Sequence, residues 1–205
     1  MRQESWSNPF RKSRSRRQSV AGAVAVLRRI ADAMVRRARY ARYFLLAGRD
    51  SRRNLAASRG RKVLVLCYGN IYRSPFVAAK LESLLSASGW SFRSAGFHHR
   101  EGRPSVESFV SLAVQNGVKL SEHRSRRVLV GDVEWADLVV IMDGKNRLML
   151  KELSPDADGK VIWLGAWAGD SRPDVSDPYG LTLSEARKIV ERMSRSVERL
   201  VQEIR

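Results

Sequence analysis

Residues 61–205 predict an α/β fold in which four parallel strands form a sheet with helices on both faces. Short apolar runs alternate with longer amphipathic segments, and this alternation is typical of parallel strands joined by helical crossovers. The first run, residues 63–66, is continuous and rich in branched side chains, as expected for a strand buried on both faces. The length of this region suits one domain with its own core.

The first 60 residues differ from the rest in composition. They hold 16 Lys or Arg against three acidic residues, whereas residues 61–205 hold 22 against 18. Residues 1–17 are rich in Ser and Arg without a core-forming pattern, which predicts disorder. Residues 19–46 predict an amphipathic helix, and residues 48–60 are interpreted as a linker. The extension is therefore predicted to be separate from the folded domain, and its removal is expected to leave that domain intact.

The predicted helix at 19–46 carries arginines opposite its apolar face, and several partners fit this pattern. It can bind an anionic membrane surface, serve as an organelle-targeting peptide, or dock on an acidic protein or nucleic acid. It can also be translated sequence without a function. The preferred interpretation is a cytoplasmic protein that attaches peripherally to a membrane. Aromatic residues are not interleaved with the basic run, which disfavours nucleic acid, and no uncharged stretch is long enough to span a bilayer.

The elements of the folded domain follow in order along the chain. Strands are predicted near 62–67, 91–95, 137–142 and 161–164. Helices are predicted near 75–88, 104–116, 144–153 and 182–204, with a short one at 131–136. Pro75 suits the first turn of a helix because its missing N–H is not needed there. Parallel strands of this kind place ligands at their carboxyl ends.

The single cysteine of the chain, Cys67, stands at the end of the first predicted strand. It has no partner for an internal disulfide and no companion thiols for a metal site, so no metal or cofactor is expected. The segment that follows reads Cys67-Tyr68-Gly69-Asn70-Ile71-Tyr72-Arg73-Ser74-Pro75. A strand, loop and helix of this kind point the N–H groups of residues 68–73 inward and form an anion nest. Gly69 and Asn70 most readily take the left-handed conformations that such a tight loop needs.

Three side chains of this loop have predicted chemical roles. Cys67 is expected to exist largely as a thiolate because amide donors and the positive end of a helix surround it. The Ser74 hydroxyl can donate to that thiolate, and the Arg73 guanidinium can grip two phosphoryl oxygens at once. The pattern predicts a nucleophile that forms a phosphocysteine, although a lone cysteine at a strand end is more often an inert core residue.

A thiolate that attacks a phosphate ester needs a general acid from elsewhere in the chain. Asp177 is the candidate, because Asp177-Pro178-Tyr179-Gly180 predicts a tight turn just before the last helix. Its carboxyl group can protonate the leaving oxygen and then activate the water that cleaves the phosphocysteine. Asp174 is the competitor, and a solvated surface turn is the alternative interpretation. His98 and His99 follow the second strand in a loop that borders the expected cleft.

These motifs together resemble the low-molecular-weight protein tyrosine phosphatases. The resemblance covers about residues 61–205 and includes three further segments, Ser94-Ala95-Gly96, residues 120–126 and residues 136–143. It implies a doubly wound four-stranded parallel sheet, Cys67, Arg73 and Asp177 as catalytic residues, and residues 68–72, Ser74 and Tyr179 as substrate-binding residues. The family usually carries a second cysteine where this chain has Tyr72, so the reversible disulfide that protects the nucleophile is expected to be absent.

The leading hypothesis is a phosphatase that acts on phosphotyrosine in proteins. Ile71 favours this substrate by resemblance, because family members that act on phosphoarginine tend to carry Thr there. Tyr68, Phe97 and Tyr179 can supply aromatic rims for an aryl phosphate. A phosphoarginine phosphatase is the nearest alternative. Arsenate reduction is disfavoured because that chemistry passes a disulfide between several cysteines, and a non-catalytic phosphate-binding module is disfavoured by the intact motif.

Overall fold

A computed structural model describes the backbone of residues 10–204 and the side chains of residues 24, 26–35, 37–85 and 87–204. It divides into two compact units, residues 1–41 and 42–205. The helices and strands are α1 (Phe10–Ala57), β1 (Lys62–Cys67), α2 (Arg73–Leu85), β2 (Ser91–Gly96), α3 (Glu107–Gln115), α4 (Val130–Trp135), β3 (Leu138–Ile141), α5 (Gly144–Leu153), β4 (Val161–Trp163) and α6 (Leu183–Ile204). The predicted α/β class and all four predicted strands are confirmed.

The four strands form one parallel sheet in the order β2-β1-β3-β4. The central strand β1 pairs with β2 on one side and β3 on the other, so the chain reverses its direction of winding at β1. Ligands of such sheets bind at the carboxyl ends of the strands, where the strand order reverses. Cys67 is the last residue of β1 and pairs with Gly96 at the end of β2.

Alternate residues of each strand point to opposite sides of the sheet, and both faces are covered by helices. Val63 and Val65 of β1 point into a core with α2, α3 and α6, where Phe76 and Met193 are fully buried. Leu64 of β1 belongs to the core on the other face, with side chains from α4 and α5. The doubly wound architecture follows from this two-sided burial.

The end of α1 belongs to the same compact unit as the sheet and covers its β4 edge. The Ser51 hydroxyl accepts a hydrogen bond from the Trp163 N–H at 2.9 Å. The Asn54 amide donates to the carbonyl oxygens of Val161 at 2.9 Å and Asp158 at 2.8 Å. Val161 and Trp163 lie two residues apart, so their backbone polar groups point to the same side of the strand. Polar side chains of a helix thus occupy an edge that would otherwise be open to pairing with another strand.

The sequence prediction for the extension is corrected at its boundaries. Residues 48–57 were interpreted as linker but are helical, and Ser51 and Asn54 are buried. The compact unit therefore starts at residue 42 and not at 61. Residues 1–9 of the predicted disordered segment lie outside the described residues, whereas α1 already begins at Phe10. Small polar residues among arginines are typical of a linker. The sequence pattern does not show that Ser51 and Asn54 bind backbone groups more than a hundred residues away.

Residues 24–41 of α1 expose apolar and basic side chains together. Leu27 and Met34 are 64% and 65% exposed, and Ile30 is 47% exposed. Arg28, Arg29 and Arg39 are exposed as well. Residues 19–46 lie within the longer helix α1, and the amphipathic character predicted for them stays a prediction. Among the described residues, no helix has the length and apolar content needed to cross a membrane.

The position of the boundary leads to a testable difference between two truncations. A chain of residues 42–205 is expected to unfold at the same urea midpoint as the full chain, because it keeps the cover of β4. A chain of residues 61–205 is expected to unfold at a clearly lower midpoint. It loses the buried Ala47, the hydrogen bonds of Ser51 and Asn54, and the shielding of Trp163.

A substitution in the full chain serves as the companion to these truncations. Asn54→Ala is expected to lower the free energy of unfolding by about 1–3 kcal/mol, because it leaves the buried Val161 carbonyl without its donor. Equal urea midpoints for the 42–205 and 61–205 chains would show that α1 contributes nothing to the stability of the sheet.

Candidate active site

The loop after β1 holds its shape through one left-handed residue. Asn70 has φ 50, the only positive φ of a non-glycine residue among those that the structure describes. Gly69, which was expected to share this conformation, has no positive φ. Gly96 on the neighbouring strand allows the loop to approach closely, since a Cβ there would lie 2.7 Å from the Tyr68 carbonyl oxygen. We call residues 67–74 the Cys67 loop.

Asn70 is fully buried and connects the Cys67 loop to two other segments. Its side-chain amide donates to the hydroxyls of Ser74 at 2.9 Å and Ser94 at 3.0 Å. Its side-chain oxygen accepts from the Arg126 N–H at 2.9 Å, and its carbonyl lies 2.7 Å from His123 Nε2. Burial lowers the pKa of His123, opposed by this contact with Asn70, so a neutral imidazole that donates from Nε2 is consistent with the geometry.

The Cys67 thiol is buried at the base of the loop. Its sulfur lies 3.0 Å from the Ser74 hydroxyl and accepts a hydrogen bond from the Asn70 N–H at 3.2 Å. The Ser74 hydroxyl also lies 3.3 Å from the Ala95 carbonyl oxygen. The sulfur therefore faces one backbone N–H donor and one hydroxyl group that can act as donor or acceptor.

Arg73 is the most buried charged side chain near this thiol, with 1% of its surface exposed. Burial lowers its pKa, but the charges of Cys67, Asp177 and Asp143 outweigh burial and raise the pKa overall. One terminal nitrogen donates to Asp143 at 2.7 Å and to the Val175 carbonyl at 2.9 Å. The other donates to Asp177 at 2.6 Å. Its Nε is buried with no acceptor among the described residues, so this N–H is not used within the described part of the protein.

Asp143 orients this arginine, a role that was not predicted from the sequence. It follows β3 and caps α5, because its Oδ1 accepts from the Asn146 N–H at 2.8 Å. Its Oδ2 is the atom that holds Arg73. An aspartate directly after a buried strand and before a helix is the signal that could have identified it.

The structure places Asp177 against Arg73 and Asp174 against the start of α5. The Asp177 Oδ2 holds Arg73, its Oδ1 accepts from the Tyr179 N–H at 3.2 Å, and its side chain is 43% exposed. Asp174 instead accepts from the Gly144 N–H at 3.2 Å, at the start of α5. The Asp177 carboxylate is thus the one of the two that accepts a hydrogen bond from Arg73 among the contacts described.

Aromatic and basic side chains surround the entrance. Tyr68 is 47% exposed and Tyr179 is 75% exposed, while the Tyr72 ring packs edge-on against Phe109 at 5.0 Å. Burial, together with the charge of Asp177 and the influence of Tyr179, raises the pKa of Tyr72, so its hydroxyl keeps its proton. The His98 ring stands edge-on to Tyr68 at 5.5 Å. The Arg103 guanidinium, which was not predicted from the sequence to lie here, donates to the Gly69 carbonyl at 2.6 Å.

The Cys67 loop, Arg73 and Asp177 are groups that can bind and transfer a phosphoryl group. Comparison with known families identifies the protein family. The family model for low-molecular-weight phosphotyrosine protein phosphatases matches residues 62–205. The chain belongs to this family. Its phosphatase domain therefore contains the Cys67 loop, Asp143 and Asp177. Among the described residues, no group of three or more His, Cys, Asp or Glu side chains could hold a metal ion.

Curated relatives of the phosphatase include enzymes named for two different substrates. A probable low-molecular-weight protein-tyrosine-phosphatase, EpsP of Ralstonia nicotianae, is 34% identical over 145 residues, which is 71% of this chain and 97% of the relative. A protein-arginine-phosphatase of Geobacillus stearothermophilus is 27% identical over 143 residues, 70% of this chain and 95% of the relative. The identities do not separate the two substrates.

Solved structures with the same fold also include both kinds. Wzb of Vibrio vulnificus in complex with benzylphosphonate superposes with a TM-score of 0.65 and 25% identity, and the match covers 70% of this chain and 98% of Wzb. The YwlE arginine phosphatase of Geobacillus stearothermophilus superposes with a TM-score of 0.64 and 26% identity, covering 71% and 93%. The phosphatase is thus similar over its whole domain to proteins of each kind.

Proposed function

We propose that this protein is a cytoplasmic protein-tyrosine phosphatase that works through a phosphocysteine on Cys67, with Asp177 as general acid and base. The contact of Arg73 with Asp177, next to the buried Cys67 sulfur, carries the proposal. It joins the proposed nucleophile, cation and proton donor at the carboxyl end of β1, where doubly wound parallel sheets bind ligands.

The two proposed steps use these three groups in turn. The Cys67 sulfur attacks phosphorus while the bond to the tyrosyl oxygen breaks and Asp177 gives that oxygen its proton. Water then attacks the phosphocysteine while Asp177 takes up a proton, and phosphate leaves as the thiolate is restored. Arg73 and the N–H groups of the Cys67 loop stabilise the equatorial oxygens in both steps.

The contact of Arg73 with Asp177 also affects how Asp177 can act as the proposed acid. The Arg73 Nη2 holds Asp177 in the free protein, and a carboxyl group must carry a proton to act as an acid. A dianionic phosphate in the nest would replace Asp177 as the partner of Arg73. Substrate binding would thereby release the carboxyl group toward the leaving oxygen, where its partial exposure already gives it access.

The shape of the entrance supports phosphotyrosine as the substrate. Ile71 of the Cys67 loop offers an apolar side chain where, by resemblance, phosphoarginine phosphatases tend to have Thr. Tyr68 and Tyr179 add exposed rings that can pack against an aryl group. A guanidinium substrate would gain little from an isoleucine, which has no hydrogen-bond acceptor.

Matched peptides test this preference. Two peptides of the same sequence, one with phosphotyrosine and one with phosphoarginine, are compared by kcat/KM for the full chain and for Ile71→Thr. We expect the full chain to prefer phosphotyrosine and the variant to shift toward phosphoarginine. Faster hydrolysis of the phosphoarginine peptide by the full chain would identify an arginine phosphatase. No turnover of either peptide would favour a non-catalytic module.

We also propose that residues 19–46 attach the enzyme to an anionic membrane surface. The exposed Leu27 and Met34 supply apolar area, and exposed arginines such as Arg28 and Arg29 supply attraction to anionic headgroups. Peripheral attachment would hold the phosphatase near phosphoproteins of the membrane.

Vesicle sedimentation tests the attachment. The full chain is expected to sediment with vesicles that contain phosphatidylglycerol and to be released by salt, because salt screens the arginine charges. The 42–205 chain, which keeps the sheet cover, is expected to stay in the supernatant. Equal sedimentation of the two chains would remove residues 19–41 as the attachment segment.

A further inference from the structure

A small polar cavity lies within the phosphatase unit between the end of α1 and α5. Its volume is about 220 Å³, and its lining includes Arg42, Arg49, Arg53, Asn54, Arg147 and Asp158. None of its lining residues belongs to the Cys67 loop or contacts Arg73. We name it the α1–α5 cavity.

Positive charge exceeds negative charge around this cavity. Four arginines line it against two carboxylates, Asp50 and Asp158. Asp158 already accepts from Arg147 at 2.5 Å and from Lys151 at 2.9 Å. Burial raises the pKa of Asp158, but these hydrogen bonds outweigh burial and lower it, so the carboxylate is used within the protein.

The arginines of α1 form a stripe along one side of the helix. Arg49 and Arg53 follow Arg42 by seven and eleven residues. These separations are close to two and three whole helical turns, so the three side chains leave the helix in nearly the same direction. Arg53 lies 3.6 Å from Asp50. Among the residues that the structure describes, no carboxylate pairs with Arg42 or Arg49. Like charges on one helix side repel each other, and an anion between them would turn this repulsion into attraction.

Arg147 adds a fixed cation on the opposite wall. It is 5% exposed, and its guanidinium lies over the Tyr43 ring at 4.2 Å. One terminal nitrogen holds Asp158, while Nη1 is buried without an acceptor in the described part of the chain. A buried donor without a partner is costly, and a small rotation of the guanidinium toward an oxyanion in the cavity would supply the missing acceptor.

The size and charge of the cavity limit the kinds of ligand that it can bind. Pockets for drug-sized ligands and cofactors usually exceed about 300 Å³, so this cavity suits a single phosphate group or a diphosphate. Planar guanidinium groups match phosphate oxygens in pairs. We propose that the α1–α5 cavity is a second anion site, separate from the Cys67 loop, that binds a phosphate group carried by a small ligand or a lipid headgroup.

Pyrophosphate is the probe for a direct test on the full chain. Trp163 lines the cavity on the edge strand, so its indole N–H signal in a ¹⁵N-correlated NMR spectrum reports binding there. Pyrophosphate is expected to shift this signal in a saturable manner. The double variant Arg42→Gln/Arg49→Gln is expected to bind at least about tenfold more weakly, because each lost charged hydrogen bond is worth that much.

The control is Arg28→Gln/Arg29→Gln, which removes the same charge from exposed positions of α1 outside the cavity. It is expected to keep most of the affinity. Equal weakening by both double variants would show diffuse attraction only and overturn the site, as would an unshifted Trp163 signal. Short-chain phosphatidic acid tests the lipid source: a saturable Trp163 shift at lower concentration than pyrophosphate assigns the site to a headgroup, and a weaker one assigns it to a soluble phosphate.

Discussion

Cys67→Ser is expected to abolish hydrolysis of phosphotyrosine and of activated aryl phosphates, while binding of phosphate or vanadate remains partly intact. The substitution removes the thiolate, and a serine hydroxyl is protonated and a poor nucleophile without a strong base beside it. The anion nest stays, because the loop N–H groups, the Asn70 contacts and the Arg73 guanidinium do not depend on the sulfur as a nucleophile. Turnover and vanadate binding are measured on the same preparation.

The fold of the variant is checked by its urea midpoint, which is expected to change little because the two side chains are nearly the same size. Loss of both turnover and vanadate binding would mean that the loop had collapsed, and the Cys67→Ala variant would then separate the sulfur from the loop. Substantial activity in a clean Cys67→Ser preparation would exclude the phosphocysteine.

Asp177→Ala is expected to slow hydrolysis of phosphotyrosine by about 10²–10⁴-fold, the usual loss when a positioned acid is removed. The loss is expected to be much smaller for p-nitrophenyl phosphate, whose acidic phenol leaves without a proton. Single-turnover rates on the two substrates give the comparison. The same variant also frees Arg73 from its partner at 2.6 Å, so tighter binding of phosphate is expected with it.

Asp174→Ala is the matched control, since it removes a carboxyl group from the same loop. Asp174 contacts the start of α5 rather than Arg73, so its loss is expected to affect both substrates equally. If Asp174→Ala showed the dependence on the leaving group and Asp177→Ala did not, the acid would be Asp174.

The periodicity of the sequence was enough to predict the sheet. A continuous apolar run before Cys67 can be buried only in a strand covered on both faces, and β1 occupies the centre of the sheet. Continuous apolar runs predicted β3 and β4 in the same way, whereas β2 is mixed in polarity and was predicted from its place between two helical segments. Pro75 marked the first turn of α2, which begins at Arg73. These features are local, because strand and helix patterns repeat within a few residues.

The candidate site was only partly predictable, because sequence patterns are local and the site combines several distant segments. Cys67, Arg73 and Ser74 lie in one short segment, and Asp177 lies in a turn with a readable pattern. Asp143 and Arg103 lie on other segments and reach the site by contacts with Arg73 and Gly69. The local pattern marks Asp143 as a helix cap after a strand, but it does not show that Asp143 or Arg103 reaches the Cys67 loop.

The sequence by itself determined the α/β class, the strand positions, the Cys67 loop and the excess positive charge of the first 60 residues. Only the tertiary structure decided where the phosphatase unit begins. Ser51 and Asn54 become part of it by bonding β4 residues 112 and 107 positions away. Each such hydrogen bond depends on the path of the whole chain between its two ends. The local pattern of polar residues among arginines therefore cannot predict which residue is the partner.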